Sequence, residues 1–236
     1  MAAVAKEFTR RGKKIIGIGR NYLDHVKELK NEAPSSPFFF LKPTTSYAFN
    51  GQNIEIPRGI LCHHEVELGV VIGSKCRSIK AEDAMKAVAG YTLAIDLTAR
   101  NLQEEVKKKQ LPWSAVKGFD TFCPVGKFIP SSTVLNPHAL MLWLKINGVF
   151  KQKASTGNMI FNIPQLIEHC SGIMTLEEGD LLLTGTPAGV GPVKPGDLVE
   201  AGLEQSDILL DELRHTAIQR NDGFSYPNSI ISSCTR

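Results

Sequence analysis

Hydrophobic positions along this chain come in short runs rather than long periodic stretches. Lys14 to Ile18 is a β-branched run closed by Gly19, and Asn21 then opens a helical stretch with Leu23, Val26 and Leu29 on one side, so a strand followed by a helix is expected. Phe38 to Leu41, halted by Pro43, and Asn53 to Ile56, halted by Pro57, are further short apolar runs. Val66 to Ile72 and Tyr91 to Leu97 read as buried strands, separated by a helical segment with its N-cap at Ser78 or Lys80 and apolar Ala84, Met85 and Val88. A second helix is expected from Thr98 through Lys109. Leu140 to Ile146, Asn147-Gly148 and Val149 to Gln152 together carry the hairpin signature of two strands around a tight turn. Leu181 to Leu183 is the last clear strand, and a Gly/Pro-rich loop follows from Gly185 to Gly196. Many short strands with few helices, and no regular strand-helix alternation, predict an α+β domain dominated by mixed or antiparallel sheet.

Composition changes this picture little but excludes several classes. With 236 residues, 42% hydrophobic and 22% charged, the chain fits one compact globular domain. Its apolar runs fall far short of the roughly 18 residues of a membrane span. A net charge of +3 spread over both signs does not imply nucleic acid, and the dense basic run Lys107 to Lys109 reads as a solvated helix face. The five cysteines are odd in number and form no C-x-x-C pair, which points to a reduced intracellular compartment and no zinc ribbon. Lys6, Arg10, Arg11, Lys13 and Lys14 stand against a single Glu7, a faint presequence character that leaves the mitochondrial matrix and the cytosol both open.

Candidate chemistry begins at His63-His64-Glu65-Val66-Glu67-Leu68, where a period of two puts His63, Glu65 and Glu67 on one strand face. A solvent-facing edge is the common fate of an E-x-E pair. This strand, however, continues as Leu68-Gly69-Val70-Val71-Ile72, which looks buried on both faces, and adjacent buried carboxylates need a cation between them. Asp96, ending the apolar strand, is either a helix cap or a third ligand. Three carboxylates suit Mg²⁺ or Mn²⁺ better than Zn²⁺, with His63 and His64 as packing or second-layer groups. If Asn21 to Glu28 is helical, His25 and Glu28 share a face and could form an acid/base dyad, although the same spacing fits a surface pair. Gly17 and Gly19 make only a weak dinucleotide motif, because Tyr22 stands at the third glycine position. Lys42 and Lys117 lie in apolar neighbourhoods, where a lysine either reaches solvent or pairs with a substrate carboxylate or enolate oxygen. The loop Leu183 to Pro192 lacks a Walker lysine, and its glycines would permit close backbone approach to a carboxylate.

Taken in order, G-R-N-Y-x-D-H, F-L-K-P, H-H-E-V-E-L, D-L-T-A-R-N-L-Q, L-P-W-S-A-V-K and L-T-G-T-P-x-G-V-G-P resemble the fumarylacetoacetate hydrolase superfamily over roughly Lys14 to Gly202. The resemblance implies a mixed β-sandwich roll, a homodimer, a mitochondrial location and a Mg²⁺ cofactor, with Mn²⁺ as a substitute. It implies metal carboxylates at Glu65, Glu67 and Asp96, catalytic groups at His25, Glu28 and Lys117, and substrate contacts at Arg20, Lys42, Gln103 and Thr186. The implied substrates are small 2-oxo acids processed through a pyruvate-type enolate: acylpyruvate hydrolysis (acetylpyruvate, fumarylpyruvate), oxaloacetate decarboxylation and keto-enol tautomerisation. The rival readings are a metal-dependent hydratase or isomerase of a related 2-oxo acid, a binding protein without turnover, and a catalytically impaired variant. The domain plan is a flexible arm at 1–13, a catalytic domain at 14–203 and a divergent tail at 204–236. In that tail Ile208, Leu209, Leu210 and Leu213 have a spacing nearer an amphipathic helix than a strand, and Gln219 to Arg236 is polar enough to be disordered, which would leave a sheet edge exposed.

Overall fold

The computed structural model describes residues 7–28 and 34–227, apart from the side chains of residues 25–27. The first half of the chain contains α1 (Phe8–Arg11), β1 (Ile15–Gly19), α2 (Leu23–Glu28), β2 (Phe38–Lys42), β3 (Tyr47–Phe49), β4 (Ile54–Arg58), β5 (Cys62–His64) and β6 (Val66–Ile72). It continues with α3 (Ala81–Ala84), β7 (Val88–Ile95), β8 (Thr98–Ala99), α4 (Arg100–Lys108) and α5 (Ser114–Lys117). The second half adds β9 (Cys123–Val125), β10 (Ile129–Pro130), β11 (Met141–Ile146), β12 (Val149–Ser155), α6 (Ile163–Ile173), β13 (Leu181–Leu183), β14 (Gly191–Val193), β15 (Leu198–Gln205) and β16 (Ile208–Ser225).

These strands form three sheets. The largest runs β2-β1-β13-β6-β7-β9-β3 with β10 attached to β7, the second runs β12-β11-β15-β16-β4, and a small third sheet is β14-β5-β8. The fold is thus the β-rich mixed α+β architecture expected. Every residue of β6 is buried, as its Val/Leu/Ile-rich run requires of a strand covered on both faces. Its Leu68, Val70 and Ile72 share one core with Ile163, Leu166 and Ile167 of α6. That helix is started by a capping box in which the Asn162 and Gln165 side chains accept each other's backbone N–H groups at 3.0 and 2.9 Å. Asn147 (φ 51°) and Gly148 (φ 77°) make the tight turn between β11 and β12 that their pairing predicted. Gly17 and Gly19 owe their identity to packing and not to a nucleotide: an added Cβ would stand 2.4 Å from the Phe40 ring and 2.1 Å from the Phe38 ring on the paired strand. Among the described residues no helix is long and apolar enough to cross a membrane.

The ends of the chain differ most from expectation. Within the arm at 1–13, Phe8–Arg11 is a helical turn, and Phe8 is buried edge-on against Tyr47. The helix expected around Ile208 to Leu213 is a strand, as is the stretch through Ser225, while 228–236 lie outside the described residues. β16 pairs antiparallel with β15 and parallel with β4, so both of those neighbours are covered. The inward positions are Asp211, Leu213, His215 and Ala217, a strict alternation disguised because two of the four are polar. Each polar one finds a partner inside: Asp211 accepts the Lys127 N–H at 2.9 Å, and His215 Nδ1 bonds the Gln52 carbonyl at 2.8 Å, although His215 Nε2 is buried without a hydrogen-bond partner among the described residues. The structural ground for expecting an impaired variant therefore falls away.

Burial holds His215 below its ordinary pKa of 6.5, with the Gln52 carbonyl opposing part of that shift. The fold therefore binds its proton less readily than the unfolded chain does, so this contribution to stability is present above about pH 6.5 and is lost as pH falls below it. Burial shifts His63, His64 and His138 in the same direction, His63 to about 4. Thermal midpoints measured from about pH 7.5 to 5 should fall below pH 6.5, and His215→Gln should flatten the fall. An unchanged pH slope in that variant would remove His215 from the explanation.

Candidate active site

The site grows from the break between β5 and β6, where Glu65 stands between the small sheet and the large one. The β6–β7 pairing sets Val66 opposite Ile95 and Glu67 opposite Ala94, and the Asp96 N–H donates to the Glu65 carbonyl at 2.8 Å. This register brings the side chains of Glu65, Glu67 and Asp96 together, with ligand oxygens all within 4.8 Å of one another and all three residues buried. Asp96 does not cap the following helix, whose N-cap is Ala99.

Cations surround two of these carboxylates. Lys42 Nζ donates to Asp96 Oδ1 at 2.6 Å, Lys117 Nζ donates to the other Asp96 oxygen and to Glu65 Oε2 at 3.1 Å, and Arg100 Nη2 donates to Glu65 Oε1 at 2.6 Å. Burial presses the Lys117 pKa down, but the charges of Asp96 and Glu65 outweigh it, so the ammonium stays charged with its pKa raised. Glu67 is different. Among the described residues no ion pair reaches it, and its carboxylate accepts the Gly185 N–H at 2.7 Å. Burial, followed by the charges of Asp96 and Glu65, pushes its pKa well above the usual carboxylate value. A buried carboxylate set with one unneutralised member fits a hard divalent cation, so this group could hold a metal ion.

Glu65 and Glu67 open onto a cavity of about 260 Å³ that is also lined by Arg20, Arg100, Gln103, Lys107, Trp113, Lys117 and Thr186. Arg20 takes a left-handed φ of 58°, a conformation non-glycine residues seldom adopt and one concentrated at functional sites. The neighbouring Asn21 amide donates to the Phe161 and Thr184 carbonyls at 3.0 and 2.8 Å, tying this segment to the loop that carries Thr186.

Of the residues singled out in the sequence, Arg20, Gln103, Lys117, Thr186, Glu65 and Glu67 share the cavity wall, and Asp96 joins the two glutamates in the carboxylate group. Lys42 does not line the cavity. Its buried ammonium donates to Asp96 Oδ1 and, at 2.8 Å, to the Phe122 carbonyl, so it neutralises Asp96. Both Glu28 oxygens accept the Gly189 N–H at 3.2 Å, which docks α2 on the same loop, whereas the His25 side chain lies outside the described residues. His64 Nδ1 bonds Gln152 at 2.9 Å. Sequence reasoning missed Arg100, although it stands three residues before Gln103 in D-L-T-A-R-N-L-Q and its Nη1 reaches Gln103 Oε1 at 2.5 Å. It also missed Gln152, for which the only signal is a glutamine in a hairpin strand.

The profile of the fumarylacetoacetate (FAA) hydrolase C-terminal family matches residues 14–216. The chain belongs to the fumarylacetoacetate hydrolase family. The match runs past Glu204 into β16, so the departure expected from that point is not one of fold. The chain is 53% identical over 212 residues to the mitochondrial oxaloacetate decarboxylase of Dictyostelium discoideum, covering 86% of this chain and 97% of that one. It is 51% identical over 195 residues to the human mitochondrial oxaloacetate tautomerase FAHD1, covering 81% and 87%. A crystal structure of a yeast member of the family superposes with a TM-score of 0.84 at 35% identity, covering 94% of this chain and 100% of that one.

Proposed function

We propose that this chain is a divalent-metal enzyme acting on oxaloacetate and related small 2-oxo acids, with keto-enol tautomerisation, decarboxylation and acylpyruvate hydrolysis as its reactions. The observation that carries this reading is the buried carboxylate group, in which Glu67 has no cationic partner among the described residues. Glu65, Glu67 and Asp96 would hold Mg²⁺, or Mn²⁺ in its place, because three oxygen donors suit a hard cation. When bound, the ion supplies Lewis acidity to the 2-oxo acid head group and stabilises enolate charge. All three reactions share a pyruvate-type enolate, which lets one site serve them.

The chain's own residues supply the rest. Lys117, kept charged and packed 4.7 Å from the Phe40 ring centroid, offers its ammonium to a developing oxyanion at the cavity wall. Arg100, Gln103, Arg20 and Thr186 orient the substrate from the same wall. His25 with Glu28, on α2, activates water or moves the C3 proton. His25→Ala should therefore lower acylpyruvate hydrolysis by about 10²-fold or more while metal affinity stays nearly unchanged, and wild-type rates would reduce the dyad to a surface pair. A homodimer is part of the proposal, and the names of the relatives favour a mitochondrial location.

The deciding assay follows loss of enol-oxaloacetate, and pyruvate release from oxaloacetate and acetylpyruvate, before and after chelation and with Mg²⁺ restored. Turnover that vanishes with chelation and returns with the ion supports the reading. Turnover indifferent to metal, or absent on every substrate, would sink it.

A further inference from the structure

Gln152 is a buried polar residue in a strand that otherwise shows its side chains to solvent. In β12, Val149, Phe150, Lys151 and Lys153 are exposed, yet Gln152 is 1% exposed, an inversion of the usual apolar-in pattern. A bulge causes it: Leu144 and Lys145 of β11 face Gln152 and Phe150, which leaves Lys151 as the extra residue. Bulges re-aim a side chain in this way without ending the strand. The loop that carries Thr186 sits on the bulge, since a Cβ at Gly189 would stand 2.1 Å from the Lys151 carbonyl oxygen.

Inside, the amide is fixed by partners whose roles cannot reverse. Oε1 accepts the Val66 N–H at 3.1 Å, and Nε2 donates to the Pro187 carbonyl at 2.9 Å, so the oxygen and nitrogen ends are assigned. His64 Nδ1 must then donate to the same Oε1, at 2.9 Å. Nε2 also donates to Thr186 Oγ1 at 2.8 Å, and that hydroxyl in turn donates to the Val66 carbonyl at 2.9 Å. Val66 is the residue between Glu65 and Glu67, so one amide and one hydroxyl hold both of its backbone polar groups.

We propose that Gln152 is a positioning residue of the site: it fixes the Thr186 hydroxyl at the cavity wall and the Glu65–Glu67 pair through the backbone of Val66, without touching the substrate. Gln152 itself does not line the cavity, whereas Thr186 and both glutamates do. The catalytic half of this inference rests on the substrate reading above, and the metal-binding half rests only on the carboxylate group holding a metal ion. A glutamine that merely stabilised the fold would be equally buried and bonded, so coupling is the discriminating property. If Gln152 works through Thr186, losing the Thr186 hydroxyl should make the loss of Gln152 partly silent; if it serves only stability, the two losses should multiply.

The experiment compares wild type, Gln152→Met, Thr186→Val and the double variant for kcat and KM on oxaloacetate, with calorimetric Mn²⁺ titration of the metal-free proteins. Gln152→Met should lower kcat about tenfold with KM within about twofold, and weaken Mn²⁺ about tenfold. The double variant should lose clearly less than the product of the two single losses. Multiplied losses overturn the proposal, as does wild-type Mn²⁺ affinity in Gln152→Met. If Gln152→Met does not fold, Gln152→Glu keeps an acceptor for the Val66 N–H and lacks the donor to Thr186, and the same kcat coupling decides. A wild type inert toward oxaloacetate would sink the functional reading, and the Mn²⁺ titration would still decide Gln152.

Discussion

Glu67→Gln should lose at least about 10³-fold in turnover, roughly 4 kcal/mol of barrier, and yet make the metal-free protein more stable. The two effects have one cause. Burial and the adjacent charges of Asp96 and Glu65 push the Glu67 pKa well above its ordinary 4.5, so the fold favours the protonated form. Stability that such a group contributes is present below the unfolded pKa and lost as pH rises towards the raised folded value, so by neutral pH the metal-free fold bears the cost of Glu67, as a retained proton or as an unrelieved charge. A glutamine is neutral at every pH and can still accept the Gly185 N–H that Glu67 accepts at 2.7 Å. It removes the repulsion together with the charge a cation needs. Asp96→Ala should lose turnover equally and do the opposite to the fold. It strands the Lys42 and Lys117 ammonium groups, both buried, without a shared counter-charge, at a cost of about 3–5 kcal/mol. Turnover, Mg²⁺ calorimetry and thermal midpoints in chelator separate the cases. A metal-free Glu67→Gln protein that melts below wild type would show that Glu67 is not the strained member, and retained turnover would remove it from the site.

The parts of this molecule that could be read in advance are those where local pattern and tertiary environment agree. Val66 to Ile72 is apolar at nearly every position and is buried at every position. Asn147-Gly148 needs two positive φ angles and has them. Glu65 and Glu67 flank a buried run, so their need for a cation could be stated before Asp96 was known to stand beside them. The misreadings share a different cause, which is polar residues buried through partners distant in sequence. Asp211 and His215 look like surface residues until each is seen to bond a distant backbone group, the Lys127 N–H and the Gln52 carbonyl. Gln152 looks like one more exposed hairpin residue until a bulge and the Val66 peptide turn it inward. Lys42 lies in apolar surroundings as its neighbours imply, but no spacing rule says that its ammonium will meet Asp96. The family resemblance named the residue types of the site and could not supply that geometry.

β16 carries a second large effect. A chain ending at Ser206 should fail to fold, because β16 is an interior strand of the second sheet with β15 on one side and β4 on the other. Its loss leaves two rows of backbone N–H and C=O groups without partners and uncovers Ile54, Ile56, Ala201 and Leu203, all buried. It also removes Asp211, the acceptor for the Lys127 N–H. Leu213→Ala is the graded version. Leu213 is fully buried in the main core, so the cavity and lost transfer energy should cost about 2–5 kcal/mol, which lowers the midpoint of a chain this size by roughly 5–15 °C. The truncated chain should be recovered as aggregate, whereas Leu213→Ala should stay soluble and melt cooperatively at the lower temperature. If the chain ending at Ser206 were instead soluble and melted within about 3 °C of the full protein, a shift worth only about 1 kcal/mol, then β16 would be a dispensable tail and the pairing described for it would be wrong.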